Sequence, residues 1–266
     1  MTLRLVRGWN VLTEPEAASY VAAVEAADGE PLEVGVAKAI NDFVLGCKND
    51  GNWDAIKASC ILAGARTLAG ALVPLVGTAP TNYNFVAGDY NREVGLSGDG
   101  STKYLNSNRD NNADPQDNRH SAVYASTRST ETSIRSYIRA TSFTPGIGAT
   151  QILSGLVAQE ITSRSSSDTT NTSSGNLHSS DGFLGISRSL SASYAIRGSG
   201  TNQTITQASV APGNGNYFVF AGNNVGLIDF YSDARLAFYS IGESLDLDLL
   251  DARVTDLITA IGVVIP

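Results

Sequence analysis

Apolar positions fall into three regimes along the chain. Before residue 50 they recur at helical spacing: Tyr20, Val21 and Val24 on an Ala-rich segment closed by Asp28-Gly29, then Leu32, Val36, Ile40, Phe43, Val44 and Cys47 ahead of Asn49-Asp50-Gly51. Steps of three and four put such residues on one stripe of a helix. Thr13 as a cap, Glu16 three residues on and Pro15 in the first turn mark the first start. The spacing therefore predicts a helical pair, over 13–27 and 31–48. From Trp53 the pattern changes to nearly continuous apolar runs at 59–65 and 67–77, broken by glycine and Pro74, which suit buried strands and a short helical turn. Beyond Tyr83, short stretches rich in strand-forming residues alternate with turn residues. Strands are predicted at 94–96, 103–105, 121–126, 132–139, 151–161, 182–187, 193–198, 203–207, 217–223 and 225–231, with turns at 98–100, 106–118, 165–180, 212–216 and 223–224. At the end, Leu249, Leu250, Val254, Leu257, Ile258 and Ile261 form a third helical stripe over 246–261, capped by Ser244 or Asp246 and stopped at Gly262.

Ten or more short strands without helices between them imply a mainly β, antiparallel sandwich rather than a βαβ fold. Two regions are expected: a helical anchor or assembly region over 1–50, and a sandwich over 51–266 that ends in the amphipathic helix.

Composition sharpens this. Charged residues make up 17% of the 266, below the roughly 25% of an average soluble domain. Polarity comes instead from 69 Ser, Thr and Asn residues and 26 Gly, types that favour turns and strand faces over helix interiors. The stretch 163–180 is low in complexity; disorder and ordering by neighbours are both open for it. Net charge is -8, and 14 of the 18 cations are arginines scattered along the chain with no basic run longer than two, which gives no electrostatic footprint for nucleic acid. No eighteen-residue apolar run and no signal-like stretch in MTLRLVRGWNVLTEPE points to a membrane.

Candidate chemistry is sparse. Cys47 and Cys60 read as buried thiols in a reducing compartment, with a disulfide closing the short loop as the other option. Only His120 and His178 are present, which argues against zinc, haem and a His-based triad. Asp110, Asn111, Asn112, Asp114, Asp117 and Asn118 put six oxygen-bearing side chains into nine residues, a density that could serve calcium, but turns use the same residues and the EF-hand spacing is missing. The segment from Gly95 to Thr102 lacks the GK[ST] ending of a phosphate loop and reads as a hairpin turn. Ser244 lacks the GxSxG surroundings of a nucleophile, and Glu131 and Glu160 are the main carboxylates in the strand region for glycoside chemistry. No catalytic residue, metal or cofactor is expected.

Four segments resemble one family. NDGNWDAIKA at 49–58, GLSGDGSTKYLNSNRDNNADPQDNRHSAVYAST at 95–127, GFLGISRS at 182–189 and RLAFYSIGESLDLDLLDARVTDLITAIG at 235–262 resemble tailed-phage virion structural proteins, cyanophage versions among them, with a concanavalin A-like, laminin-G-like jelly roll. The likeness covers about residue 36 onward. It implies a noncatalytic virion component, a fiber-like appendage or a decoration protein of head, neck or tail, working through contacts with other virion proteins and with its own copies as a homotrimer. The other reading is a carbohydrate-binding adhesin of the virion, with the loops at 106–118 and 165–180 on a host surface glycan.

Overall fold

The computed structural model describes residues 12–129, 133–140, 146–155, 159–173 and 176–265. The N-terminal stripes form α1 (Pro15–Asp28) and α2 (Val34–Asn49). Gly29, at φ 74°, ends α1 in the left-handed conformation that glycine adopts without a Cβ penalty. The start of α1 departs from expectation, because Glu14 holds the cap position and makes no side-chain cap. Asn41 of α2 takes the backbone N–H groups of Thr13 (2.7 Å) and Glu14 (2.9 Å) instead. Glu16, expected in a capping box, joins Glu14 on the Lys48 ammonium.

Among the described residues seventeen strands follow: β1 (Ile56–Ile61), β2 (Thr81–Tyr83), β3 (Tyr90–Asn91), β4 (Gly95–Ser97), β5 (Tyr104–Asp110), β6 (Arg119–Thr127), β7 (Ser136–Ala140), β8 (Ala149–Ser154), β9 (Ile161–Ser167), β10 (Asn171–Thr172), β11 (Gly182–Leu190), β12 (Ser193–Gly198), β13 (Thr201–Thr206), β14 (Asn216–Val219), β15 (Gly222–Asn224), β16 (Leu227–Asp229) and β17 (Arg235–Gly242). A short helix, α3 (Leu68–Ala71), lies in the 67–77 run, and α4 (Leu247–Val264) follows β17. The first sheet has the order β13-β12-β11-β6-β17-β4-β3, with β1 also on β17. The second has the order β10-β9-β8-β7-β14-β5-β2, with the β15–β16 hairpin joined to β7. Named strands pair antiparallel apart from one bridge between Asn223 and Ala140.

The sheets face one another across a core that includes Leu96, Leu105, Val123, Ile138, Ile152, Leu184, Leu236 and Ile241. The reverse face of the first sheet is also covered, since Ala122, Phe183, Ala237 and Phe238 share a second core with α1, α2 and α4. Phe43 of α2 meets Phe238 edge-on at 5.7 Å. Helices α2 and α4 run antiparallel, with Gly35 beside Val264 and Gly46 beside Arg253. At Gly185 of β11 a Cβ would come within 2.9 Å of Leu247, so the missing side chain is what lets α4 lie flat on the sheet. These three helices roof one sheet, and the reverse face of the second sheet is where a binding surface can form.

Several boundaries differ from expectation. The apolar run 151–161 is two strands, β8 and β9, and 217–223 is divided at Phe220, whose φ of 70° turns the chain between β14 and β15. β5 continues to Asp110, inside the expected 106–118 turn. β9 carries the start of the low-complexity stretch as a strand with all seven residues buried, so order by neighbours prevails there. The central strand β17 was not expected. Seven of its eight residues are buried, so the two-residue alternation that marks a half-exposed strand is lost.

Candidate functional site

Alternation along β5 sends Leu105 into the sandwich core and leaves Tyr104 and Asn106 on the outer face of the second sheet. Register then sets Tyr83 opposite Tyr104 and Thr81 opposite Asn106. From Asn106 a row continues through Phe218, Arg139, Gln151 and Arg164 on successive strands. The row has two unlike halves.

The half on β2, β5 and β14 is aromatic. Tyr83 and Tyr104 stack with centroids 4.4 Å apart and planes 5° from parallel, Phe218 lies 4.8 Å from Tyr104, and Tyr231 meets it edge-on at 6.3 Å. Each such contact adds about 0.5–1.5 kcal/mol beyond the area it buries. Tyr104 and Phe218 are buried with Ala221 in a small cluster completed by Ile228 and Tyr231. Tyr83, on the edge strand β2, stays 39% exposed. One face of its ring is covered by Tyr104, so the exposed part is the opposite face and the rim. Burial, with the neighbouring hydroxyls of Tyr83 and Tyr231, pushes the Tyr104 phenol up to about 12.

Amides frame the rings. Asn106 accepts the Asn108 backbone N–H through Oδ1 (2.9 Å), and its Nδ2 donates to no described residue. Asn108, at φ 57°, donates to the Ala79 carbonyl (2.8 Å) and the Thr81 hydroxyl (3.1 Å), which fastens β2 to β5. The β15–β16 hairpin stands alongside, with Ile228 in the aromatic cluster and its tip residues Val225 and Leu227 exposed by 67% and 73%. Val225 at φ 54° and Phe230 at φ 49° are unfavourable conformations for L-residues, costing roughly 1–2 kcal/mol each.

The half on β7, β8 and β9 is closed. Arg139 is 1% exposed, ion-paired with Asp229 and placed 5.2 Å over the Phe230 ring. Burial raises the Asp229 carboxyl despite Arg139 and lowers the Arg139 guanidinium. Arg164 donates to the Thr170 hydroxyl through Nε at 2.8 Å. Around the aromatic half, Lys103 is paired with Asp89 at 2.5 Å, and Arg135 donates to the Gly100 and Tyr231 carbonyls.

The sequence-predicted candidates resolve into structural roles. In the Gly98–Thr102 turn, Asp99 accepts from the backbone N–H groups of Ser101, Thr102 and Lys103 at 2.8–3.1 Å. Its own carboxylate occupies the amide cradle a phosphate would need. Burial raises that carboxyl, yet the donors outweigh burial and hold it well below the usual carboxylate range. The oxygen cluster at 110–118 is dispersed: Asp114 pairs with Arg109, Asp110 accepts from Asn112 and Gly215, Asn111 serves Gly148, Gly213 and Arg119, and Asn118 holds Ser244. No group of three or more metal-ligating acidic, His or Cys side chains forms among the described residues. Glu160 is half-buried beside Gly155, and Glu131 lies outside the described residues.

Cys47 and Cys60 are both free thiols, buried in different cores, and burial pushes each up to about 12. Ser244 precedes α4 but does not cap it; Asp246 does, accepting from the N–H groups of Asp248 and Leu249. No helix among the described residues is long and apolar enough to cross a membrane. The aromatic platform escaped the sequence reading, because Tyr83, Tyr104 and Tyr231 are far apart along the chain. Their one local sign is an aromatic beside amides at 81–84 and again at 104–108.

No family model matches the chain, and no curated protein matches it. Among solved structures, the CBM40 of the Ruminococcus gnavus IT-sialidase is similar over 52% of this chain and 82% of its own, at 13% identity and a TM-score of 0.40. The same module has been solved bound to alpha2,3 sialyllactose. The NanB sialidase from Streptococcus pneumoniae is similar over 59% of this chain and 28% of its own, at 13% identity and a TM-score of 0.41. The botulinum neurotoxin serotype D binding domain is similar over 76% of this chain and 51% of its own, at 12% identity and a TM-score of 0.48. Each likeness is distant.

Proposed function

We propose that this chain is a noncatalytic carbohydrate-binding module of the concanavalin A-like jelly-roll class, whose second sheet presents its outer aromatic face to a glycan. The observation that carries this reading is the Tyr83–Tyr104 stack, with an exposed ring framed by Asn106, Asn108 and Thr81 on the sheet that the helices leave uncovered. Flat aromatic surface beside neutral hydrogen-bonding groups suits a ligand that is apolar on one face and hydroxylated at its rim. The resemblance of segments 49–58, 95–127, 182–189 and 235–262 to tailed-phage proteins supports placing the module on a phage particle, as an adhesin facing a host surface glycan. A glycan array probed with the intact chain tests the binding; an array without a single reproducible hit contradicts it.

A second reading is a structural component of that particle, acting through contacts with other virion proteins and with its own copies as a trimer. It is favoured by exposed aliphatics on the helical layer, where Val34 (57%) and Val263 (78%) sit at the adjoining ends of α2 and α4. Detection of the chain in purified virions, with no array hit, selects this scaffold role over the adhesin. Absence from virions contradicts both particle assignments and leaves glycan binding to be judged by the array.

A further inference from the structure

We propose that the groove between α1 and the turn at Trp53 is the seat of the chain's own N-terminal segment, residues 1–11, held there by apolar side chains in the groove and by arginine at its acidic rim. The proposal concerns the helical side of the molecule and stands apart from the glycan-binding reading.

The groove comes first. It has a volume of about 650 Å³ and runs along α1 from Pro15 and Glu16 to Ala23, with Trp53, Ile56 and Val76 on the opposite wall. That is the size of a small-ligand pocket, roughly 300–1,000 Å³. Two charged side chains that line it are already paired, Glu16 with Lys48 and Lys57 with Glu243. Trp53 packs on the helical core and is only partly buried, so apolar surface remains for an occupant to cover.

Connectivity and charge name the occupant. Asn41 fixes the backbone N–H groups of Thr13 and Glu14, and Leu12 packs on the helical core, so the chain preceding Leu12 starts at the Pro15 end of the groove. Eleven extended residues reach roughly 36 Å, and α1 advances only about 12 Å between Pro15 and Ala23. The whole groove is within reach, and a tethered segment meets it at a far higher effective concentration than a free partner does. Met1, Leu3, Leu5, Val6, Trp9 and Val11 supply the apolar side chains, while Arg4 and Arg7 are charged and no acid occurs among the eleven residues. At the rim, Asp54 is exposed and forms no ion pair or hydrogen bond with a described residue. An arginine of the segment provides the cation that Asp54 lacks.

The two tryptophans of the chain make the test direct, since Trp9 lies in the segment and Trp53 in the groove. Trp9→Phe leaves Trp53 as the one fluorophore of the full chain, and acrylamide quenching reads how far it is covered. The expected result is weak quenching that rises about twofold or more when Leu3→Ser, Leu5→Ser and Val6→Ser are added, because losing three apolar side chains turns the docked state from majority to minority. Arg4→Glu with Arg7→Glu in the Trp9→Phe chain is expected to raise quenching as well, and Asp54→Lys to restore protection in that charge-reversed chain. This rescue keeps the test decisive if the serine variant aggregates. An unchanged circular dichroism spectrum confirms that the rest of the fold is intact. Equal quenching of Trp53 in all of these chains overturns the proposal. Protection that disappears on roughly hundredfold dilution of the protein also overturns it, and gives the groove to a second copy.

Discussion

At the scale of single residues, the polar groups inside the sandwich are used for structure. His120 is buried with Nδ1 against the Glu243 carbonyl (2.5 Å) and Nε2 against the Ser240 hydroxyl (2.6 Å). A carbonyl only accepts, so Nδ1 carries the proton and Nε2 receives one from Ser240. His178 Nε2 lies 2.6 Å from the Tyr137 hydroxyl, which accepts the Ser129 N–H and so donates to the imidazole. Burial lowers both histidines to about 4. The folded value is therefore below the unfolded one, and between about pH 6.5 and 4 only the unfolded chain takes up these protons. Stability is fully present above that window and falls on acidification through it, by at most about 3 kcal/mol for each histidine. The urea midpoint should drop between pH 7 and pH 4.5; a flat profile would show that neither imidazole is held neutral. Arg188 is a further case, donating to five backbone carbonyls, of Ser165, Leu190, Ser191, Ser193 and Gln207. A scattered arginine in the sequence gives no sign that it will be the peg joining β9, the β11–β12 turn and the end of β13.

At the scale of elements, legibility followed exposure. α1, α2 and α4 were readable because each is half-buried and its apolar stripe contrasts with a polar face. β12 was readable at its exact bounds for the same reason, since its burial alternates. β17 and β9 lie buried along nearly their whole length, so their sequences, RLAFYSIG and ITSRSSS, show no alternation, and β9 fills the interior mostly with hydroxyls rather than with apolar side chains. Caps were half-legible: Asp246 acts three residues from the hydrophobic stripe as local rules anticipate, whereas α1 depends on Asn41, a partner supplied from another helix. Replacing Asp246 with alanine should cost about 1 kcal/mol, read as a lower melting temperature with the second sheet unaltered. A larger loss would mean that α4 holds the sheet beneath it as well as its own first turn. The candidate site lay beyond reach for a plainer reason, that three distant tyrosines converge only through strand register.

At the scale of the whole molecule, one asymmetry dominates. Three helices close the reverse side of the first sheet, and the reverse side of the second is divided between a buried arginine zone and an aromatic edge. The oxygen-rich 110–118 segment contributes to the rigidity of this architecture through its own hydrogen bonds, with Asp114 on Arg109 and Asn111 on Arg119. Calcium should therefore leave the melting temperature unchanged relative to chelator; an upward shift with saturating calcium would show a site that this bonding pattern does not provide. The most direct measurement of the functional proposal is a backbone amide NMR titration of the intact chain with the strongest ligand from a glycan array. Glycan binding by the outer face predicts shifts gathered at Thr81–Tyr83, at 104–108 and around Tyr231. Shifts confined to the helical layer, or no binding by any glycan, would contradict it.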